Sequence, residues 1–399
     1  AYSLLAYQTG WLKVHFSAEF FCANLTIELD NTDKIKVLLE DACKMGLQIE
    51  PPDINRGQYV FEPVTDQLIR YGLGAIKGTG KTAIDAIVAA RHEGGPFTSL
   101  FDFYARIDRS KVNKRTVEAL IKAGAFDGIQ LNRAALVASI DRAHDFAQSL
   151  SDNANQGGLF DQVDSHASST TEPELVRATP WGIKERLSHE KTAIGFYLSG
   201  HLYDESASEV QRFVKRRIDD LIDSREPQLL AGIVSDLRLV QGQRGRLAIF
   251  KLDDRSATIE ATADEATYNH HRDTLREDEL VIVMVKAQPD RFSGGGLRLS
   301  VQQVWSLAEA RCRFGKYLSV QVNGQAPDIA RLLREFPAKV QSSEEGELVR
   351  GLPVRIHLLR EGACAQIQLG EQAKFFPTEA ALASWIAQAH DGHAQIIYD

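Results

Sequence analysis

The apolar pattern of this 399-residue sequence changes its period once, and that change limits what the chain can fold into. Up to residue 150, apolar residues recur every three or four positions, as in FSAEFFCANLTIEL and VNKRTVEALIKAG, which predicts amphipathic helices. From residue 228 onward, short apolar runs with partial alternation predict strands. We therefore expect a multidomain chain that contains both α and β domains.

The region between these two patterns is polar. Residues 151–180 are rich in Ser, Asn, Gly and Thr and show no sustained period, which is typical of a linker. Helical spacing returns over residues 181–227, which we interpret as a helical connector.

Five strand-like runs follow, over residues 228–308: LLAGIVSDLRLV, RLAIFKLDD, ATIEATA, ELVIVMVKAQ and LRLSVQQVW. A helix-like piece, EATYNHHRDTLRED, separates the third run from the fourth. That order predicts an OB-type β-barrel, with a generic small barrel as the alternative. Residues 309–399 alternate strand and helix patterns, which predicts a small C-terminal α+β domain.

The charge and cysteine content exclude several classes of site. With 46 basic and 54 acidic residues, the chain can bind nucleic acid only where basic residues are concentrated, and residues 71–133 form one such region. Four widely separated cysteines without a CxxC pair indicate free thiols in a reducing cytoplasm and argue against a zinc site. We expect no metal site and no cofactor in this chain. No apolar run is long enough to cross a membrane. We also expect the chain to begin inside a longer polypeptide.

The stretch AIKGTGKTAIDAI, residues 75–87, is close to a phosphate-binding loop of ATP-driven enzymes. Ala75 stands where that loop needs its first glycine, and no buried strand precedes it. The spacing fits the hairpin of a helix-hairpin-helix motif better, in which glycine amides and a helix N-terminus meet a DNA phosphate. An ordinary glycine-rich helix start is the alternative. The predicted duplex-contact residues are Lys77, Gly78, Thr79, Gly80, Lys81 and Thr82.

A second, degraded hairpin follows at residues 113–140. VNKRTVEALIKAG ends at Gly124 and NRAALVASI begins the next helix, but Phe126 takes the place of the second glycine. Close approach of a phosphate is not expected there. Lys114, Arg115 and Arg133 remain predicted contacts to the duplex backbone.

Several longer stretches together resemble one family. They are AYSLLAYQTGWLKVHFSAEF, MGLQIEPPDIN, YGLGAIKGTG, NKRTVEALIKAGAFD, EKTAIGFYLSGH and LDDRSATIE, in order along nearly the whole chain. The chain resembles the C-terminal portion of the alpha subunit of bacterial DNA polymerase III, the C-family replicative DNA polymerase. One departure is Leu202, where the family usually has proline.

The resemblance implies an architecture. Residues 1–50 would end the fingers domain, residues 51–150 would form the helix-hairpin-helix domain on double-stranded DNA, and residues 228–308 would be the OB domain near the single-stranded template. Residues 309–399 would resemble the region that binds the tau subunit of the clamp loader. The catalytic carboxylates and their Mg²⁺ would lie upstream, so this part alone is expected to be non-catalytic while the parent is a DNA-directed DNA polymerase.

Gln156, Leu159 and Phe160 form a Q-x-x-L-F pattern inside the polar region. An exposed apolar pair in such a segment is unfavourable unless a partner buries it. The pattern is similar to the family's peptide for the sliding clamp, and chance packing of the pair is the alternative.

The predicted barrel offers basic and aromatic residues for a single strand, in the manner of other OB folds. The candidates are Arg246, Phe250, Lys251, Phe292 and Arg298. The alternative for the whole chain is a non-catalytic nucleic-acid-binding adaptor with an OB barrel, and an ATP-driven motor would depend on GTGKT alone.

Overall fold

The computed structural model describes residues 2–156, 172–242, 245–289, 296–323, 328–343, 346–360, 362–370 and 372–398. The chain divides into two compact units, Ala1–His201 and Leu202–Asp399. This division falls inside the predicted helical connector. In the described ranges, no helix is both long and apolar enough to span a bilayer.

The first unit is mainly helical. Its helices are α1 (Tyr2–His15), α2 (Ser17–Ile27), α3 (Thr32–Lys44), α4 (Lys81–Gly94), α5 (Leu100–Arg106), α6 (Lys114–Lys122), α7 (Arg133–Ala138), α8 (Ile140–Gln156) and α9 (Ile183–Ile194). Three short strands form a sheet in the order β1-β3-β2: β1 (Gln48–Glu50), β2 (Glu62–Thr65) and β3 (Leu68–Arg70). One hydrophobic core runs from Ala18 in α2 to Phe196 after α9.

Local sequence signals set several helix ends. The side chains of Asn31, Asn113 and Asn132 each accept a hydrogen bond from the third residue beyond them and so cap α3, α6 and α7. Gly46 follows α3 with a φ of 89°, a conformation that glycine adopts without steric cost.

The predicted linker contains more structure than its composition indicated. Helix α8 continues to Gln156. Residues 172–182 follow an irregular path against α7 and α8: the Val176 amide donates to Ser139 Oγ at 2.8 Å, and Asn132 Nδ2 donates to the Ala178 carbonyl at 2.9 Å. Leu175 also packs on the unit's core.

The second unit begins with α10 (Asp204–Val210) and continues into a closed barrel of five strands. These are β4 (Ser224–Gly242), β5 (Gly245–Asp253), β6 (Thr258–Asp264), β7 (Leu280–Pro289) and β8 (Leu297–Trp305), with α11 (Glu265–His271) between β6 and β7. The order around the barrel is β4-β5-β6-β8-β7, and β6 pairs with β8 in parallel. The predicted OB-type arrangement is confirmed.

The tail of the second unit is the predicted small α+β domain. After α12 (Leu307–Phe314), a sheet has the order β13-β12-β9-β14, built from β9 (Tyr317–Val322), β12 (Val354–Arg360), β13 (Ala363–Gln368) and β14 (Ala394–Ile397). Helices α13 (Ile329–Glu335) and α14 (Glu379–Gln388) contribute Leu332 and Trp385 to its core. The hairpin of β10 (Lys339–Ser343) and β11 (Gly346–Arg350) was not predicted, because its sequence is charged and lacks a clear apolar alternation.

Candidate nucleic-acid interface

On its core-facing side, the glycine hairpin before α4 is filled by its own buried side chains. A 3₁₀ turn spans Leu73–Ala75, and Ile76 is buried after it. The Thr79 hydroxyl is also buried and lies 2.7 Å from the Leu73 carbonyl oxygen and 2.6 Å from that of Ile76. The predicted side-chain contact from Thr79 to DNA is therefore wrong, because this side chain faces the core.

The N-terminus of α4 lacks a side-chain cap. Gly80 is its N-cap residue and has no side chain to offer. In the described part of the chain, nothing accepts a hydrogen bond from the amides of Gly78, Gly80, Lys81 or Thr82. Unpaired amides at the positive end of a 14-residue helix form a natural anion site.

The two hairpin glycines, Gly78 and Gly80, differ in backbone conformation. Gly78 has a φ of 85°, where an L-residue is strained. Gly80 has an ordinary φ of −80° and ψ of 155°, and a Cβ added there would have no neighbour within 4 Å. The fold itself thus leaves position 80 open, and a side chain there would occupy only the space outside the hairpin.

Lys77 is held in place by the C-terminal end of α9. Its amide donates to the Ala193 carbonyl at 2.8 Å. Gly195 ends α9 with a φ of 108°, and a Cβ at this position would lie 2.2 Å from Thr32 Cγ2 and 3.1 Å from Lys77 Nζ. The glycine in EKTAIGFYLSGH therefore lets the Lys77 side chain lie against the backbone.

Helix α6 joins the hairpin through its first turn. The buried Thr116 hydroxyl donates to the Gly78 carbonyl at 3.2 Å, which brings the N-terminus of α6 next to the glycines. Lys114 pairs with Asp141 at 2.6 Å, whereas Arg115 is exposed. Within the described ranges, no carboxylate lies within 4 Å of the charged groups of Lys77, Lys81 or Arg115. Sequence reasoning missed Thr116, although a threonine three residues after an N-cap was the available signal.

The second hairpin is built around a buried ion pair. Arg133 is 5% exposed, and its guanidinium donates to both carboxylate oxygens of Asp127 at 2.8 and 2.6 Å. Burial alone lowers the pKa of Arg133, but the hydrogen bonds and charge of Asp127 outweigh it and raise the pKa. Gly124 makes room for this arginine, since a Cβ there would lie 2.3 Å from Arg133 Nη2. The prediction that Arg133 contacts DNA is therefore wrong.

Glu190 completes this buried pair from α9. It is fully buried, lies 3.5 Å from Arg133 Nη1, and accepts hydrogen bonds from the amides of Leu198 and Ser199. It fixes the GFYLSG turn that supports Lys77. Sequence reasoning did not identify this role.

The predicted single-strand candidates on the barrel differ in where their side chains lie. Phe250 is 1% exposed in the barrel core, so its predicted stacking on a base is wrong. Arg246 has the parity of the inward residues of β5, while Lys251 points outward. Lys251 pairs with Asp236 at 2.7 Å, and Arg298 Nη2 lies 4.0 Å from Glu260. Phe292 lies outside the described residues.

The predicted clamp-binding peptide cannot be placed. Leu159 and Phe160 lie outside the described residues, and for Gln156 the structure describes only its position at the end of α8. In the ranges that the structure does describe, no group of three or more His, Cys, Asp or Glu side chains is arranged to hold a metal ion.

Comparison with known proteins supplies the context for this geometry. A model of the helix-hairpin-helix motif matches residues 46–136, and a model of the OB-fold nucleic acid binding domain matches residues 229–307. The predicted helix-hairpin-helix and OB domains are thus confirmed.

Full-length relatives match almost all of the chain. DNA polymerase III subunit alpha of Neisseria meningitidis serogroup B is 41% identical over 384 residues, which cover 95% of this chain and 32% of that protein. The proteins of the same name from Pseudomonas aeruginosa and Vibrio cholerae are each 36% identical, over 95% and 96% of this chain. The chain spans about a third of the length of these curated relatives.

Proposed function

Because this chain is homologous over 95% of its length to part of bacterial DNA polymerase III subunit alpha, we propose that it is the DNA-holding part of a replicative DNA polymerase. The role of this chain is to bind the duplex product through its phosphate backbone. The hairpin of residues 76–80 and the first turn of α4 carry this role.

The uncapped N-terminus of α4 is the observation that carries the proposal. Unpaired amides and the helix dipole favour an anion at this N-terminus, and the exposed residues Lys77 and Lys81 flank it in the sequence. Arg115 at the start of α6 lies on the neighbouring helix, tied to the hairpin by Thr116. Contacts of this kind hold any duplex alike, because phosphates carry no sequence information.

The remaining partners belong to the same proposal. Gln156, Leu159 and Phe160 would bind the sliding clamp, residues 228–308 would meet the single-stranded template, and residues 309–399 would contact the tau subunit of the clamp loader. The resemblance to the family supports these assignments. Holding the duplex and the clamp on one chain raises the effective concentration of the primer end at the active site.

The chemistry of the parent polymerase is assigned to the part that this chain does not span. Template-directed addition of nucleotides needs carboxylates that hold two metal ions in line with the primer end. We expect the isolated chain to extend no primer. Primer extension by the purified chain in Mg²⁺ and deoxynucleotides would contradict this assignment.

A salt titration of duplex binding tests the hairpin. Lys77→Glu combined with Lys81→Glu should weaken binding of a fluorescent 20-base-pair duplex on any sequence. Since each lost phosphate contact removes about 0.9 from the slope of log affinity against log salt, the slope should fall by about 1.8. Unchanged affinity and slope would refute the proposal.

A matched control uses helix α3. Lys36→Glu combined with Lys44→Glu makes the same change in charge at two exposed lysines of that helix. It should lower the duplex affinity far less and leave the slope near that of the wild type. Equal losses in both double variants would mean that the chain's total charge, and not the hairpin, governs binding.

A further inference from the structure

The MGLQIEPPDIN motif leads into a turn of residues 53–57 that is shaped by its own hydrogen bonds. Asp53 Oδ1 accepts from the Asn55 amide at 2.7 Å, and the Asp53 carbonyl accepts from the Gly57 amide at 2.7 Å. A Cβ at position 57 would lie 2.8 Å from that same carbonyl oxygen, so this close approach requires glycine. The duplex-binding role described above uses none of these residues.

Arg91, in the last turn of α4, binds the 53–57 turn. Its side chain is 8% exposed, and Nη1 donates to the carbonyls of Ile54 at 3.0 Å and Gly57 at 2.9 Å. Burial of a charged group is unfavourable, and an apolar side chain can often replace one without loss of stability. The two carbonyls that the guanidinium fixes therefore account for an arginine at this position.

Asn55 binds the segment that follows α4. Its Nδ2 donates to the Phe97 carbonyl at 2.8 Å, and its Oδ1 accepts from the Phe97 amide at 2.7 Å. Phe97 is buried in the hydrophobic core of the first unit. The 53–57 turn thus holds α4 at two places, at the end of the helix and in the chain just beyond it.

Ile54 connects the same turn to the second hairpin. Its amide donates to the Ala125 carbonyl at 2.8 Å, and Ala125 lies directly after Gly124, just past the end of α6. The C-terminal ends of α4 and α6 therefore meet at one residue, because Arg91 binds the carbonyl of Ile54 and the chain after α6 binds its amide.

The N-terminal ends of α4 and α6 also meet. The Thr116 hydroxyl, in the first turn of α6, donates to the carbonyl of Gly78, just before the N-cap residue Gly80 of α4. The two helices are therefore joined at both ends and run in the same direction. Their positive dipole ends lie together at the proposed duplex site, whereas Arg91 lies about 15 Å farther along α4 than Lys81.

We propose that Arg91 and Asn55 are positioning residues for the duplex site. Through the 53–57 turn they fix α4 relative to α6, so that the N-terminus of α4 and Arg115 on α6 reach phosphates of one duplex without rearrangement. This inference rests on the proposed function and deepens it. Two contacts at a fixed separation bind a ligand more tightly than two that must first be ordered, because folding has already met the entropic cost.

The salt dependence of duplex binding distinguishes positioning from direct contact. Loss of a phosphate contact lowers the affinity and also lowers the slope of log affinity against log salt, by about 0.9 per contact. Loss of positioning lowers the affinity and leaves the slope unchanged, because the same phosphates are still bound. A residue that only stabilises the fold changes neither quantity when binding is measured well below the melting temperature.

The test uses the full chain and the same fluorescent duplex, followed by anisotropy over a range of salt concentrations. Arg91→Met should weaken binding about tenfold, with a slope within about 0.3 of the wild-type value. Arg91→Lys keeps a donor for the two carbonyls and should stay within about threefold of the wild type. Asn55→Ala loses both bonds to Phe97 and should weaken binding about fivefold. It replaces Arg91→Met if thermal unfolding shows that this variant does not fold.

The control is Leu25→Ala, which removes a fully buried side chain from α2 and so destabilises the same unit. None of the hydrogen bonds that join the 53–57 turn to α4, Phe97 or Ala125 involves α2. Duplex affinity should stay within about twofold of the wild type. Unchanged affinity in both positioning variants, an equal loss in Leu25→Ala, or a slope lowered by about 0.9 in Arg91→Met would overturn the proposal.

Comparison with the hairpin variant separates this proposal from the proposed function. If Lys77→Glu combined with Lys81→Glu lowers affinity and slope while Arg91→Met changes neither, duplex binding by α4 stands and the positioning role fails. If the lysine variant binds the duplex as the wild type does, the N-terminus of α4 is not the duplex site and both proposals fail. Loss of affinity and slope in the lysine variant, with loss of affinity alone in Arg91→Met, supports both.

Discussion

Replacement of Arg133 by methionine tests whether this arginine stabilises the fold or contacts DNA. The guanidinium is buried, donates to Asp127 and to the Lys122 carbonyl at 3.1 Å, and lies 3.5 Å from the fully buried Glu190. Methionine keeps the apolar stem but removes the guanidinium, so these acceptors lose their donor. Asp127 and the buried Glu190 are then left without a cation.

The size of the effect follows from the burial. Removing one partner of a buried ion pair costs about 3–5 kcal/mol, because the remaining charge stays in a poorly solvated place. For a unit of roughly 200 residues, each kcal/mol lowers the melting temperature by about 2–4 °C. We expect a decrease of roughly 6–20 °C in thermal unfolding followed by circular dichroism. Duplex affinity, measured well below the transition, should stay within about twofold of the wild type.

The comparison variant is Arg115→Met. Arg115 is exposed, so its loss should change the free energy of unfolding by less than about 0.5 kcal/mol while it weakens duplex binding. A stable Arg133→Met protein with weakened duplex binding would refute the assignment of Arg133 to the core. Such a result would support the sequence-based prediction that Arg133 contacts the duplex backbone.

Other consequences concern buried titratable groups. Burial raises the pKa of Glu209, but hydrogen bonds from Arg311 and Tyr398 outweigh it and hold the pKa below its usual value. This stabilisation is present above the unfolded pKa of about 4.3 and is lost as the pH falls through the folded pKa. In urea titrations, the stability difference between wild type and Glu209→Gln should therefore shrink as the pH falls below about 4.3. Burial, with smaller effects of Glu19 and Glu62, raises the pKa of the Cys22 thiol to about 12. At pH 8 a thiol reagent should therefore modify exposed Cys364 and spare Cys22 until the chain unfolds, as peptide mass spectrometry would show.

Local chemistry made much of the fold predictable. An asparagine before a helix caps it through contacts only three residues away, so Asn113 and Asn132 could be recognised without tertiary information. The barrel was predictable because five apolar runs with one helix between the third and fourth have few possible closures. The β10–β11 hairpin was missed since its sequence is charged and lacks a clear apolar alternation.

The candidate site was predictable only in part. The glycine spacing located the hairpin, but whether a basic side chain faces solvent or a buried carboxylate depends on residues far away in sequence. Arg133 illustrates this, since Glu190 reaches it from 57 positions along the chain. Phe250 is different: it alternates with Ala248 and Leu252, both buried, so strict application of the strand period would have placed it in the core.

The central claim is that the open N-terminus of α4 binds a duplex phosphate, and Gly80→Asp tests it most directly. An aspartate at an N-cap accepts hydrogen bonds from the first helical amides, so the fold should gain a few tenths of a kcal/mol. The same carboxylate would occupy the space of the phosphate and repel it. Stability and duplex affinity should therefore change in opposite directions.

Gly182→Asp is the matched control. Gly182 is the N-cap of α9, with φ −62° and ψ 166°, no side-chain cap and no atom within 4 Å of an added Cβ. The account predicts equal or higher melting temperatures for both variants, with duplex affinity reduced at least about tenfold by Gly80→Asp alone. Duplex affinity that is unchanged in Gly80→Asp, or equally reduced in both, would contradict the claim.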